Sequence, residues 1–99
     1  MKVLAIVEIN ITDPSWIEVY SKNVTPLLLS YGGKYVTRSE NIEIIEGSKK
    51  PQFSVVIEFP SRDVAMAFFN SAEYEPYKKL RHSGSESNYL LVNIENSVS

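Results

Sequence analysis

Three charged residues in otherwise apolar surroundings are the side chains best suited to chemistry in this chain. Glu8 interrupts the run VLAIVEIN, Glu58 interrupts FSVVIEF, and Arg38 ends the alternating stretch YGGKYVTR. If both carboxylates meet the guanidinium, one of them lacks a counter-charge and could act as a general base, while the cation stabilises negative charge. The structural alternative is an ion pair at the rim of a sheet, because such pairs use the same residue types.

The elements that carry these residues decide whether they meet. Near-continuous apolar runs over 3–10 and 53–59 predict two central strands. The alternating run from Lys34 to about Ile45 predicts another strand, and a last strand is expected over 88–95.

Apolar residues at spacings of three and four predict helical regions between these strands. The first begins at Pro14 and ends at Gly32, with a kink or division near Pro26. The second begins after a Ser61 cap and continues in a further helical piece. The order β-α-β-β-α-β predicts one domain over 1–99 with a ferredoxin-like α+β fold. Its four-stranded antiparallel or mixed sheet has the order 4-1-3-2, with both helices on one face.

A second copy of the chain is predicted to cover the other face of the sheet. The central strands are apolar on both faces, whereas the helices cover only one. Leu4, Ile6 and Val56 would form the contact, which gives a homodimeric α+β barrel.

Side-chain alternation predicts that the three charged residues share this second face. The prediction treats strands one and three as parallel neighbours, so Glu8 and Glu58 lie at the same end. The hairpin between strands two and three then places Arg38 beside Glu58. The expected result is a cleft at one end of the sheet that admits a small molecule.

Composition argues against several other function classes. The net charge is −2 and no basic run exceeds two residues, so no nucleic-acid partner is expected. The chain has no cysteine and its one histidine is His82, so neither a metal nor another cofactor is predicted. No apolar stretch approaches the ~20 residues that span a bilayer, which predicts a cytoplasmic protein with no membrane partner.

Several segments resemble the bacterial family called domain of unknown function 1330. They are VEINITD, YGGKYVTR, EIIEG, VVIEFPS and FFNSAEYEPYKKLR, and they extend over about residues 3–95. The resemblance implies a ferredoxin-like dimeric α+β barrel but no assigned reaction. The family's motif positions fall on Glu8, Asp13, Gly32, Gly33, Arg38, Glu46, Gly47, Glu58, Tyr74 and Arg81.

The predicted function is a homodimeric module that binds a small anionic metabolite. The predicted ligand-binding residues are Arg38, Glu8, Glu58, Tyr20 and Arg81, and the predicted catalytic residues are Glu8 and Glu58. The alternative is a cofactor-independent enzyme, similar to a monooxygenase, isomerase or dehydratase, that uses a glutamate base and an arginine. A purely structural or interaction role is the third possibility, because fold alone does not fix function.

Overall fold

The computed structural model describes residues 1–95, which form one four-stranded antiparallel sheet with helices on one face. The strands lie in the order β2-β3-β1-β4, which confirms the predicted order and the ferredoxin-like α+β fold. Their bounds are Val3–Ile11 for β1, Lys34–Ser39 for β2, Phe53–Phe59 for β3 and Ser85–Asn93 for β4.

A short 3-10 turn and three α-helices connect the strands. The turn is Pro14–Trp16, and the helices are α1 over Ile17–Ser30, α2 over Arg62–Phe69 and α3 over Glu75–Gly84. The Asp13 carboxylate caps the turn, where it accepts a hydrogen bond from the Ser15 amide. Ser61 likewise caps α2 through the amide of Val64.

The first helix ends as predicted but does not divide. Gly32 follows its end with a φ of 80°, a conformation that glycine adopts without strain. Pro26 lies inside one continuous α1, so of the two predicted alternatives, a kink or a division, the division does not occur. Val24 and Leu28 on either side are buried at 2% and 1% exposure, and this packing stabilises the helix despite the lost backbone donor.

The second strand is shorter and less regular than the sequence predicted. It ends at Ser39 rather than near Ile45, and an irregular segment over 40–52 leads to β3. Tyr35 pairs with Ile57 and Thr37 pairs with Val56. These two partners are consecutive in β3, so Val36 is an extra residue in β2. This β-bulge reverses the direction of every later side chain in the strand.

The core lies between the sheet and the helices. Val3, Ala5, Val7 and Ile9 of β1 face the helices and are each 8% exposed or less. Leu28 and Phe68, each 1% exposed, pack against this side of the sheet from the helices. The opposite face carries exposed apolar side chains, including Leu90 at 52% and Val92 at 43%. Within residues 1–95, none of the helices combines the length and apolar character needed to cross a membrane.

Candidate ligand-binding site

The two glutamates lie at opposite ends of the sheet. β1 and β3 are antiparallel, with Glu8 opposite Ser54 and Glu58 opposite Leu4. The offset of four residues corresponds to about 13 Å along the strands. The prediction of parallel neighbours was therefore wrong. The crossover through α1 makes β2 run in the direction of β1, and β3 then returns antiparallel to both.

Each glutamate has a local partner on the open face. The Glu58 carboxylate lies 3.8 Å from the Lys2 ammonium and 3.7 Å from that of Lys34. The Asn88 side-chain amide donates a 3.4 Å hydrogen bond to Glu8. Both lysines are largely exposed, so pairs of this kind contribute little to stability.

Arg38 lies on the helix-covered face rather than beside the glutamates. It pairs with Val55, whose side chain faces the helices, because the bulge at Val36 shifts the alternation by one residue. Its guanidinium carbon lies 4.1 Å from the centre of the Tyr35 ring, a cation–π contact. The predicted convergence of Glu8, Arg38 and Glu58 does not occur, and the predicted catalytic roles of the glutamates lose their geometric basis.

A cavity of about 390 Å³ lies between the sheet and the helices. This volume is within the range of about 300–1,000 Å³ that is usual for small-molecule sites. Three of the predicted ligand-binding residues, Arg38, Tyr20 and Arg81, line it, and no Asp or Glu is among the lining residues. Seven of the lining residues are aromatic: Trp16, Tyr20, Tyr35, Phe53, Phe68, Tyr74 and Tyr89.

Arg81 is a buried cation without an acidic partner. It is 2% exposed, and no carboxylate in residues 1–95 lies within ion-pairing distance of it. One terminal nitrogen donates a 2.6 Å hydrogen bond to the Ser87 hydroxyl. Nε and the other terminal nitrogen have no partner in this part of the chain. A buried donor without an acceptor destabilises the folded state, and a charged donor does so most.

Three tyrosine side chains lie close to this guanidinium. The Tyr20 and Tyr74 hydroxyl oxygens are 2.5 Å apart, and the Tyr89 hydroxyl has no partner among the described residues. Burial, followed by the effect of Tyr74, raises the pKa of Tyr20 well above its usual value. Burial also raises the pKa of Tyr89. Both phenols are therefore neutral at physiological pH and can donate hydrogen bonds.

The charge of Arg81 persists in this environment. Burial alone lowers the pKa of Arg81, but the oxygens of Tyr74 and Tyr20 raise it, and the net shift is upward. The neighbouring His82 is exposed and lies outside the cavity lining, with its pKa lowered by partial burial and then by Arg81 and Lys78. Arg81 is accordingly the permanent positive charge of this region.

The end of α3 is fixed by close packing at Gly84. The Trp16 indole donates a 3.1 Å hydrogen bond to the Gly84 carbonyl, and the Thr12 and Asp13 amides donate to the same oxygen. A Cβ at Gly84 would overlap the Trp16 ring, so only glycine fits here. This contact joins the start of the first helical region to the last turn of α3, which carries Arg81.

The sequence reasoning missed Tyr74, Ser87 and Tyr89 as neighbours of the site. One usable signal was present, because Arg81 follows Tyr74 by seven residues, close to two helical turns. That spacing places both residues on one face of a helical segment. Since Tyr74 is an aromatic residue that packs in the core at 1% exposure, the same spacing predicts that Arg81 is buried as well.

Comparison with known proteins fits the resemblance noted in the sequence. A family model described as Domain of unknown function (DUF1330) matches residues 2–94. The chain belongs to this family. No curated protein matches it significantly. Within residues 1–95, no group of three or more His, Cys, Asp or Glu residues is arranged to bind a metal ion.

Solved structures share the fold at low sequence identity. The RPA0582 protein of unknown function from Rhodopseudomonas palustris aligns with a TM-score of 0.82 and 13% identity, over 96% of this chain and 83% of that one. SnoaB, a cofactor-independent oxygenase from Streptomyces nogalater, aligns with a TM-score of 0.66 and 13% identity, over 98% of this chain and 96% of that one. Rv0793 from Mycobacterium tuberculosis aligns with a TM-score of 0.57 and 11% identity, over the full length of both chains. At these identities the likeness shows a common fold alone.

Proposed function

We propose that the protein binds a small organic anion in the cavity, with Arg81 as the partner of the anionic group. The observation that carries this proposal is a buried guanidinium with two unpartnered nitrogens and no acid among the cavity-lining residues. A bound carboxylate or phenolate would supply the missing acceptors. The planar guanidinium suits a carboxylate, because it can donate two parallel hydrogen bonds to it.

The remaining lining residues favour an apolar, aromatic ligand body. Most are aromatic or aliphatic, and such surfaces bind rings through area burial and edge or face contacts. The unpartnered Tyr89 hydroxyl and the Tyr20–Tyr74 pair add neutral donors near the anionic group. The ligand proposed is thus an aromatic acid or an ionised phenol rather than an inorganic ion.

A cofactor-independent oxygenase is the second candidate function. The likeness to SnoaB over 98% of the chain favours it. A buried cation would stabilise the anionic form of an aromatic substrate, which is the charge that such a reaction develops. In this candidate reaction neither glutamate is proposed as the base, because Glu8 and Glu58 are outside the cavity lining. Oxygen consumption upon addition of a bound phenol would favour this candidate over simple binding.

We further propose that a second copy of the chain covers the open face of the sheet. Val56, Ile6 and Leu90 form one row across this face, and Leu4 and Val92 lie beside it. Exposed apolar patches of this kind commonly mark an interface, and symmetric dimers are the commonest oligomers. The cavity is on the other side of the sheet, so ligand binding does not depend on the dimer contact.

Calorimetric titration with naphthoate, an aromatic carboxylate, tests the binding proposal. Naphthoate should bind the wild type, and at 100 times its dissociation constant it should add about 2.7 kcal/mol to the stability. The Arg81→Met variant, which preserves the apolar stem, should bind at least about tenfold more weakly because a charge-assisted hydrogen bond is lost. Arg62→Met is the matched control, since Arg62 is exposed at the start of α2 and away from the cavity.

Two results would refute the proposal. In the first, no aromatic carboxylate or phenol binds the wild type. In the second, naphthoate binds Arg81→Met as tightly as it binds the wild type, although circular dichroism shows that both are folded.

A further inference from the structure

A second arginine stands at the opposite edge of the same cavity. Arg38, Val55, Val7 and Tyr89 are successive partners across the sheet, one from each strand. Three strand spacings separate the first and last of these residues, which is about 14 Å between their Cα atoms. The Arg81 guanidinium lies 5.7 Å from the Tyr89 ring, so the two arginines mark the two ends of this row.

Neither arginine is neutralised by the protein. Arg38, like Arg81, has no ion pair within residues 1–95, and the cavity lining contains no carboxylate. The chain as a whole carries a net charge of −2, so these two cations are not part of a generally basic surface. Between them the floor of the cavity is apolar, with Val55 and Val7 in the row itself.

The position of Arg38 is organised by its neighbours. Its guanidinium stacks on Tyr35, and the Tyr35 hydroxyl is 3.1 Å from the Thr25 hydroxyl on α1. A stacked guanidinium keeps its N–H groups free at the edge, where they can bind a carboxylate. Arg38 is exposed while Arg81 is 2% exposed, so the cavity has a solvent-facing cation at one end and a buried cation at the other.

We propose that the ligand carries two acidic groups, one for each arginine, joined by an apolar body that lies over Val7 and Val55. This inference rests on the proposed function and specifies its ligand class as an elongated diacid. The buried Arg81 provides most of the affinity, because an ion pair away from water is screened least. Arg38 selects ligands that are long enough to reach the mouth of the cavity.

Paired titrations of aromatic acids with the same body test the diacid inference. The diacids are terephthalate, naphthalene-dicarboxylate and biphenyl-dicarboxylate, and their partners are benzoate, naphthoate and biphenyl-carboxylate. In the wild type, the best-fitting diacid should bind about threefold to tenfold more tightly than its monoacid, as expected for one additional, partly solvated ion pair. In Arg38→Met and Arg38→Gln the ratio of monoacid to diacid dissociation constants should fall to about one. Arg62→Met should preserve both affinities.

The outcomes separate the two proposals. If monoacids bind through Arg81 but no diacid binds more tightly in the wild type, the diacid inference is wrong and the proposed function stands. A diacid preference that survives in both Arg38 variants would also overturn the inference. If no acid of either kind binds the wild type, the proposed function fails and the diacid inference fails with it.

Discussion

The two faces of the sheet treat charge in opposite ways. On the helix-covered face, Arg38 and Arg81 line a cavity without any carboxylate. On the open face, Glu58 has two lysine partners and Glu8 has an amide partner, while apolar side chains such as Leu90 remain exposed. One face therefore lacks anions and the other lacks apolar cover.

This difference indicates where a ligand and where a protein partner would bind. Unsatisfied charge in a concave, mainly apolar site is what a small anion can neutralise. Unsatisfied apolar surface on a broad sheet is what a second sheet can cover. Charged residues within apolar sequence runs were the first candidates for chemistry. The two glutamates among them, however, lie on the open face and pair with nearby lysine or amide groups.

The largest expected effect concerns the open face. Ile6→Asp places a charge in the central row of the proposed interface, where a buried unpaired charge costs several kcal/mol. Analytical ultracentrifugation should show a dimer for the wild type and a monomer or unfolded chain for the variant. Leu29→Asp is the control, because Leu29 is 54% exposed on α1, away from the sheet. A monomeric wild type at micromolar concentration would refute the proposed dimer.

The covered face should respond to loss of packing rather than to loss of association. Phe68 is 1% exposed and stacks on Tyr74 with 4.6 Å between ring centres. Phe68→Ala should lower the free energy of unfolding by about 3–5 kcal/mol, from lost burial and the void that remains. Leu29→Ala should change it by less than about 0.5 kcal/mol. Urea unfolding measures both, and a loss below about 1 kcal/mol for Phe68→Ala would contradict this packing.

The buried phenols should make the protein sensitive to alkaline pH. The folded-state pKa of Tyr20 is raised above the usual 10.0, so the native state keeps a proton that the unfolded chain releases. The stability from this group is complete below about pH 10 and is lost as pH rises from there, by about 1.4 kcal/mol per pH unit for each such proton. Tyr20→Phe should make the decline less steep in urea unfolding followed up to about pH 11. An identical slope for both proteins would contradict the assigned role of Tyr20.

The smallest change in stability is expected at Arg81 itself. A structural arginine would stabilise the fold, whereas a ligand-binding arginine without a counter-ion does not. We expect Arg81→Met to leave the free energy of unfolding of the ligand-free protein unchanged or to raise it by about 1 kcal/mol. Chemical unfolding without ligand measures this difference. A decrease of more than about 2 kcal/mol would assign Arg81 to structure instead.

Sequence periodicity predicted most of the fold but little of the site. The two-residue alternation of β1 and the cap at Ser61 depend on local chemistry, and the structure confirms both. The position of Arg38 depends on a bulge at Val36, and bulges leave no reliable trace in an alternating pattern. The separation of Glu8 from the other glutamate follows from strand direction, which the β-α-β-β-α-β order already implied and which was wrongly assigned.

The most direct test of the central claim observes the Arg81 side chain while an anion binds. The chain has three arginines, Arg38, Arg62 and Arg81, so an NMR spectrum of the arginine Nε–H groups contains at most three signals. Arg81→Lys and Arg62→Lys variants assign them by loss of a peak. On titration with naphthoate, the Arg81 Nε–H signal should shift downfield and become protected from exchange, since this nitrogen gains its first acceptor. The Arg62 signal should not move. Saturable naphthoate binding that leaves the Arg81 signal unchanged would contradict the account.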